Sequence, residues 1–476
     1  MTQNQPTTMS DQPKNTILYL VIVCFAAALG GFLFGFDTAV ASGTIGFLRD
    51  QFSLSPVMEG WVMSSALFGS IGGAAIAGWL SDRYGRKIIL ILSAVLFFTS
   101  ALWCSSVNDV VFLVIARLVG GVGVGIAAMV APMYISELAP PGIRGRLVSF
   151  YQMAITFGIL MSYLSNTALL NYATEHIGEI QTSFFGLVFV DEVWRAMFGS
   201  EIFPAMIFLI MLFIVPKSPR WLAKEGKMEQ AGQILTRFLG KEEADYELLQ
   251  IKQTIAQKQG SYRDLLKPGI RAALVVGVLL SVFNQLTGIT SVMYYAPTIF
   301  ENAGFQSGSA FGSAIIIGFV NMIFTLFAIW KIDKFGRRPL LITGFVFVGI
   351  ILISIGICFM QENPSPVLLL SLFIMYIMFF AAALGPTAWV IPSEIYPTHI
   401  RGRAMSISTL VLFVGSTLVT QTFPWLRENI GMGSTFILYG LLMIPAVWFA
   451  VKLVPETKGK TLEEIEKDWK RKARNS

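Results

Sequence analysis

Long apolar runs alternate with short polar stretches along the whole chain. Twelve runs can be placed, at about 17–46, 58–80, 88–106, 110–134, 147–168, 197–215, 271–296, 310–332, 339–360, 365–391, 404–424 and 434–453. About 20 helical residues cross the hydrocarbon of a bilayer, and a backbone in lipid must bond within its own segment. The pattern therefore predicts an all-α membrane protein in which each run is a spanning helix. It divides the chain into a tail over 1–16, a first six-helix bundle over 17–215, a linker over 216–270, a second six-helix bundle over 271–453 and a tail over 454–476. The linker mixes charged and apolar positions. Ser218 followed by Pro219 reads as an N-cap and first helical residue. Met228, Ile234, Leu235 and Leu239 recur near helical spacing, which predicts short amphipathic helices. The stretch after Pro455 is charged and is predicted to be helical from Thr461.

The polar stretches repeat. DRYGRK, beginning at Asp82, returns as DKFGRRP, beginning at Asp333, 251 residues later. Ser136-Glu137 with Arg144-Gly145-Arg146 returns as Ser393-Glu394 with Arg401-Gly402-Arg403, 257 residues later. Two motifs recurring in one order at nearly one spacing indicate a duplicated chain, hence two pseudo-symmetric six-helix bundles.

Composition sharpens this picture. Only 13% of residues are charged and 54% are hydrophobic, against about 25% charged in an average soluble domain, so a water-soluble globule is excluded. The net charge of +6 is no sign of a nucleic-acid partner, because the basic residues keep to particular loops. Of 35 Lys and Arg, 31 lie in the two tails, the linker and the loops after runs 2, 4, 8 and 10. The positive-inside rule then predicts that both tails and the linker are cytoplasmic. The exceptions are Arg49, Arg117, Arg195 and Arg427. Cys24, Cys104 and Cys358 all fall in apolar runs and suggest neither a disulfide framework nor a metal site. His176 and His399 read as solvated loop residues. No nucleophile–base pair and no phosphate loop is present, so neither an enzyme nor a cofactor is expected. The first 16 residues are polar, and no short apolar segment with a cleavage site follows, so no removable signal peptide is expected.

DRYGRK with DKFGRRP, Arg117 through Gly120, Gly121, Gly123 and Gly125 to Glu137 and Arg144, SPRWL at 218–222 and VPETKGKT at 454–461 occur together in this order. In these motifs the chain resembles the sugar porter family of the major facilitator superfamily, and within it the bacterial xylose/proton symporters, from about Leu29 to Leu462. The resemblance implies two bundles that rock about a central site near the bilayer midplane, which also suits duplicated halves on physical grounds. It implies a cytoplasmic charge network latching the outward-facing state, carried here by Asp82, Arg86, Glu137, Arg144, Arg220, Asp333, Arg337, Arg338, Glu394 and Arg401. The plainer reading is that these cations only hold their loops inside. Lys217 stands where the family has Glu, which sets a like charge among the arginines.

A charge inside a span is costly and marks function by default. Asp37 follows Gly30, Gly31 and Gly35 in GGFLFGFDTAV, and Arg117 lies within run 4. Burial raises a carboxyl pKa and a neighbouring cation lowers it, so a carboxylate moving between such surroundings can take up and release a proton. By resemblance Asp37 matches the proton-coupling aspartate of the symporters and Arg117 its partner; a purely structural ion pair is the alternative. Glu201, at the start of run 6, is a further proton-coupling candidate or an interfacial cap. An uncharged polyhydroxyl ligand calls for neutral amides, which offer donors and acceptors together, and for an aromatic face. Gln152, Gln285, Asn321 and Trp389 match the family's sugar contacts. Asn284 and Thr290 stand where the xylose symporters have Gln and Asn, and Leu412-Phe413 replaces a Gln-Trp pair, so the pocket is expected to be less polar on that side. Tyr294 and Tyr295 lie close by, and Gly288 and Pro297 are placed to bend or break run 7. The reading is a monosaccharide/proton symporter of the inner membrane that works as a monomer. A facilitator without ion coupling and a non-transporting sugar sensor are the alternatives.

Overall fold

The computed structural model describes residues 14–139, 144–177, 184–256, 264–265, 267, 270–362, 364–397, 400–458 and 464–465. The helix predicted from Thr461 and the loop residue His399 lie outside or largely outside these residues, as do the side chains of Arg144 and Asp333. The described residues form helices and no strands. The first half comprises α1 (Lys14–Phe52), α2 (Pro56–Tyr84), α3 (Arg86–Cys104), α4 (Val110–Leu138) and α5 (Arg144–Glu175). A short turn, α6 (Phe184–Gly186), leads into α7 (Val193–Ser200) and α8 (Ile202–Ile214), which follow one another as a sixth crossing. The linker holds the expected short helices, α9 (Pro219–Lys224), α10 (Met228–Leu239) and α11 (Lys241–Ala256). Ser218 caps α9 by accepting from the Trp221 amide, with Pro219 in the first turn.

The first crossing of the second half is broken at Gly288 and next to Pro297, the two residues placed to bend or break run 7. That crossing is in three pieces, α12 (Ile270–Leu286), α13 (Ile289–Tyr294) and α14 (Ala296–Asn302). Gly288 adopts a φ of +78°, which ends the right-handed helix, and Pro297 opens α14. Then come α15 (Ser307–Phe335), α16 (Arg337–Phe359), α17 (Pro366–Phe379), a π-helical turn over Phe380–Leu384, α18 (Gly385–Ile395), α19 (Arg401–Asn429), α20 (Met432–Leu441) and α21 (Met443–Lys452). Among the described residues eleven helical stretches are long and apolar enough to cross a membrane. Ile270–Leu286, the first piece of the broken run, is apolar but shorter than these.

In lipid the helices gain nothing from hydrophobic segregation, so close backbone approach and polar contacts must hold them together. Gly69 and Gly73 on α2 face Gly121 and Gly125 on α4, and a Cβ added at Gly121 would lie 2.0 Å from the Ala66 carbonyl oxygen. Gly35 sits so near α5 that a Cβ would come within 1.9 Å of the Ile155 oxygen. Gly31 and Gly35 thus seat α1 against α5. The Asn166 side chain of α5 donates to the Ala39 carbonyl of α1 at 2.9 Å. This contact sets the depth at which the acid is held.

Candidate functional site

Asp37 and Arg117 form a bidentate pair, Nη1–Oδ1 at 2.9 Å and Nη2–Oδ2 at 3.4 Å. They are 7% and 1% exposed, so the pair is sealed from water within the bundle. The Arg117 guanidinium also lies over the Phe198 ring at 5.5 Å. Glu201, at the junction of α7 and α8, is buried within electrostatic reach of both partners. Tyr294, on the short piece α13 of the opposite half, faces Thr38 and is within electrostatic reach of Asp37. The acid therefore reports to both halves at once.

The four cations outside the predicted basic side all have acidic partners. Arg117 takes Asp37, Arg195 takes Glu192, Arg49 takes Asp50 at 3.7 Å and Glu59 at 3.9 Å, and Arg427 takes Glu59 at 3.1 Å. Residue-by-residue reading did not single out Glu59. The signal was available, because a cation on the wrong side needs a reason. Glu59 opens α2 and Arg427 closes α19, so this pair joins the two halves at the end opposite the linker. Around it Ser64 donates to Gln421 at 2.7 Å, and Gln421 donates to the Val57 carbonyl at 2.9 Å. Deeper in, Tyr163 donates to the Met293 carbonyl at 2.8 Å, and Phe34 packs on Phe413 with ring centroids 6.0 Å apart. The molecule is thus closed at this end.

At the linker end the repeated motifs build two similar clusters, one within each half. Arg86 meets Glu137 at 3.0 Å and Asp82 at 3.1 Å, and Ser218 donates to Glu137. Arg337 meets Glu394 at 2.8 Å, and Thr457 donates to Glu394 at 2.5 Å. Lys87 reaches the last carbonyls of α8, Phe213 and Val215, at 3.0 and 2.7 Å. Its repeat partner Arg338 reaches the Val451 carbonyl of α21 at 2.5 Å. Arg401 donates to the Tyr396 carbonyl at 3.4 Å, and Arg220 is exposed.

The repeat fails at one position. Val454-Pro455-Glu456-Thr457 corresponds to Val215-Pro216-Lys217-Ser218. Glu456 accepts from the amides of Arg337, Arg338 and Lys458 at 3.1, 3.1 and 2.9 Å, capping α16. Burial alone would raise its pKa, but these amides with that of Thr457 outweigh it and hold the carboxyl below its usual range. Lys217 offers no such cap to α3, whose N-cap residue is Gly85; its ammonium lies 5.9 Å from the Trp221 ring. Lys217→Glu is expected to supply the missing carboxylate and stabilise the fold by about 1 kcal/mol. An upward shift in thermal unfolding of the detergent-solubilised protein checks this.

Of the amide and aromatic candidates, three are wired together. Thr290 bonds Gln285 at 2.6 Å, Gln285 bonds Asn284 at 3.3 Å, and Asn284 bonds the Leu384 carbonyl at 3.1 Å. One turn before Gln285, Ser281 lines a recess with Trp389, Pro392, Ser408 and Leu412. Leu412 lines the same recess as Trp389, while Phe413 packs on Phe34. Gln152 on α5 and Asn321 on α15 stand on neighbouring helices. Neither makes a hydrogen bond among the described residues, which leaves both amides free for a ligand.

A family model described as "Sugar (and other) transporter" matches residues 23–469. The chain is 41% identical over 467 residues to the arabinose-proton symporter of Bacillus subtilis (strain 168), covering 98% of this chain and 97% of that one. It is 40% identical over 483 residues to the D-xylose-proton symporter of Escherichia coli (strain K12), covering 95% and 96%. Among solved structures it is similar to the partially occluded inward open conformation of the xylose transporter XylE from E. coli, with a TM-score of 0.81 and 38% identity over 93% of this chain and 100% of that one.

Proposed function

The chain belongs to the sugar transporter family, and from that premise we propose that it imports a monosaccharide of the pentose or hexose class by proton symport through alternating access. The observation that carries this reading is the buried Asp37–Arg117 pair, a titratable acid held within the bundle of a chain similar to arabinose-proton and xylose-proton symporters. In the conformation described, Arg117 is the counter-charge of Asp37. When the halves tilt and the pair parts, the acid loses its counter-charge and binds a proton. Tyr294, on the broken crossing, ties this step to the half that carries Asn284, Gln285 and Thr290.

The protein is a multi-pass protein of the plasma membrane. The bias of 31 Lys and Arg in 35 supports a cytoplasmic linker end with both tails inside. The conformation is then closed to the outside, and sugar leaves toward the cytoplasm past Trp389. The division at 17–215, 216–270 and 271–453 is the one on which the two bundles rock. The clusters at Glu137 and Glu394 lie within single halves here; we read them as the latch that engages across the halves when the cytoplasmic side closes, with Arg144, Asp333, Arg220 and Arg401 at its rim. One chain contains every part the cycle needs.

Uptake of labelled xylose, arabinose and galactose into vesicles containing the purified protein, with and without an inward proton gradient, tests the reading. Accumulation above the external concentration only with the gradient, and alkalinisation of the medium when sugar is added, are expected. Purely downhill movement at every external pH would replace symport by facilitation. Gln285→Ala and Trp389→Ala are each expected to weaken sugar binding about tenfold or more, since each removes a buried contact worth roughly 1.4 kcal/mol or more. Unchanged affinity in both variants would mean the sugar sits elsewhere.

A further inference from the structure

The polar side chains at the break in the seventh crossing form a directed chain, and its direction can be read from one atom. The Leu384 carbonyl ends the π-helical turn of the tenth crossing, where the helical bonding pattern is interrupted. A carbonyl only accepts, so Asn284 must turn its Nδ2 toward Leu384, as it does at 3.1 Å. That leaves Asn284 Oδ1 facing Gln285, which must donate from Nε2, at 3.3 Å. Gln285 Oε1 is thereby turned to Thr290, whose hydroxyl has to give it its one proton, at 2.6 Å. One backbone oxygen thus sets the orientation of three side chains. Asn284 and Gln285 are 4% and 5% exposed, so water does not compete for these bonds.

The contact depends on the break itself. In an unbroken helix, residues five apart point about 140° away from each other around the axis. Gly288, in its left-handed conformation, returns Thr290 to Gln285. A continuous helix with the same residues would carry Thr290 away and leave the Gln285 amide held by the 3.3 Å bond to Asn284 alone.

We propose that Thr290 is a positioning residue that fixes the amide polarity of Gln285, so that this corner of the site presents one remaining Nε2 hydrogen as donor and the Thr290 oxygen as acceptor only. The matching ligand group is a single sugar hydroxyl that accepts from Gln285 and donates its proton to Thr290. This rests on the sugar-transport reading above. The assignment separates analogues that otherwise look alike. Replacing that hydroxyl by fluorine keeps an acceptor for Gln285 but removes the proton that Thr290 needs; replacing it by hydrogen removes both.

The test measures binding of xylose, arabinose and galactose to the purified full chain by calorimetry, for the native protein and for Thr290→Val, Thr290→Ser and Thr290→Cys. Transport KM and maximal rate are measured in vesicles alongside. Thr290→Val, which keeps the volume and removes the donor, is expected to weaken binding about tenfold and raise KM with little change in maximal rate. Thr290→Ser, which keeps the donor, is expected to stay within about threefold of native. Thr290→Cys, a weak donor, is expected to fall between, and it carries the comparison if the valine variant does not fold. In the native protein one deoxy position of the preferred sugar is expected to cost more than the fluoro analogue at the same position, and the cost of the fluoro analogue relative to the parent sugar is expected to vanish in Thr290→Val, where no partner for the hydroxyl proton remains. Native affinity in Thr290→Val, or equal losses in the serine and valine variants, would overturn the positioning role while leaving sugar transport intact. A native protein that binds none of the three sugars would overturn the transport reading and this inference with it.

Discussion

Asp37→Asn is expected to abolish uphill accumulation of sugar while leaving counterflow exchange intact. Asn keeps the shape of the side chain and can still bond Arg117, so the bundle should assemble with α1 seated against α5 as before. It removes the only carboxyl of the pair, and with it the only group there that can release and rebind a proton, since Arg remains charged. Moving one charge through 100 mV is worth about 2.3 kcal/mol, so one proton driven by roughly 150 mV sustains on the order of a 300-fold gradient. The native protein should approach that ratio when energised and the variant should stop near unity, with sugar still exchanging across the membrane at equal concentrations. Proton-driven accumulation by the variant would move the coupling acid elsewhere, with Glu201 next in line because it is buried in the same neighbourhood. Loss of counterflow as well would show that the pair is needed for the tilt itself.

Removing the charge at the outer seam should have the second largest effect. Glu59 is 1% exposed and depends on Arg427 at 3.1 Å, with Arg49 more distant at 3.9 Å. Breaking a buried pair by deleting one partner costs about 3–5 kcal/mol, because the remaining charge is stranded away from water. The two residues belong to different halves, so the cost falls on the closed outer end and not on an open one in which Glu59 is hydrated. Arg427→Ala should therefore shift the population toward the outward-open state by about a hundredfold or more, at about 1.4 kcal/mol per factor of ten. A cysteine introduced at Gly46, which lines the cavity of about 360 Å³ between α1 and α14 near this end, should then react faster with an impermeant thiol reagent. The native cysteines are buried and should stay silent. Combining Glu59→Gln with Arg427→Ala should recover part of the closed population, because no lone charge is left behind. An unchanged labelling rate in the single variant would mean that the seam is held by close packing alone, such as Gly60 against the Gln421 backbone.

How far the fold could be read in advance differs from feature to feature. The spanning helices were legible because lipid leaves a backbone almost no other conformation. The pairing of Asp37 with Arg117 was legible because two opposite charges in apolar runs have few other partners. That Arg86, Glu137, Arg337 and Glu394 gather at one end was legible from motifs repeated in register, but which acid each arginine takes was not. The break at Gly288 was flagged by residue type, but its consequence was not. That Thr290 folds back onto Gln285 depends on a single backbone angle. The Glu59–Arg427 seam was hidden because it joins residues 368 apart in sequence, across the contact between the two halves. The contrast between Glu456 and Lys217 was visible as a departure, yet only the amides arranged around Glu456 show what the lysine omits.

The amino-acid order alone determined the membrane setting, the doubled plan, the loops in which the basic residues gather and the acid placed within an apolar run. All of these follow from solvent chemistry acting on single segments. Which helix faces touch, which end of the molecule is shut and which way each buried amide points were decided only in three dimensions. The reason is that lipid does not distinguish one apolar helix face from another. Register and tilt are therefore set by close glycine contacts and by a few polar bonds between distant segments, and no local pattern in the chain records them.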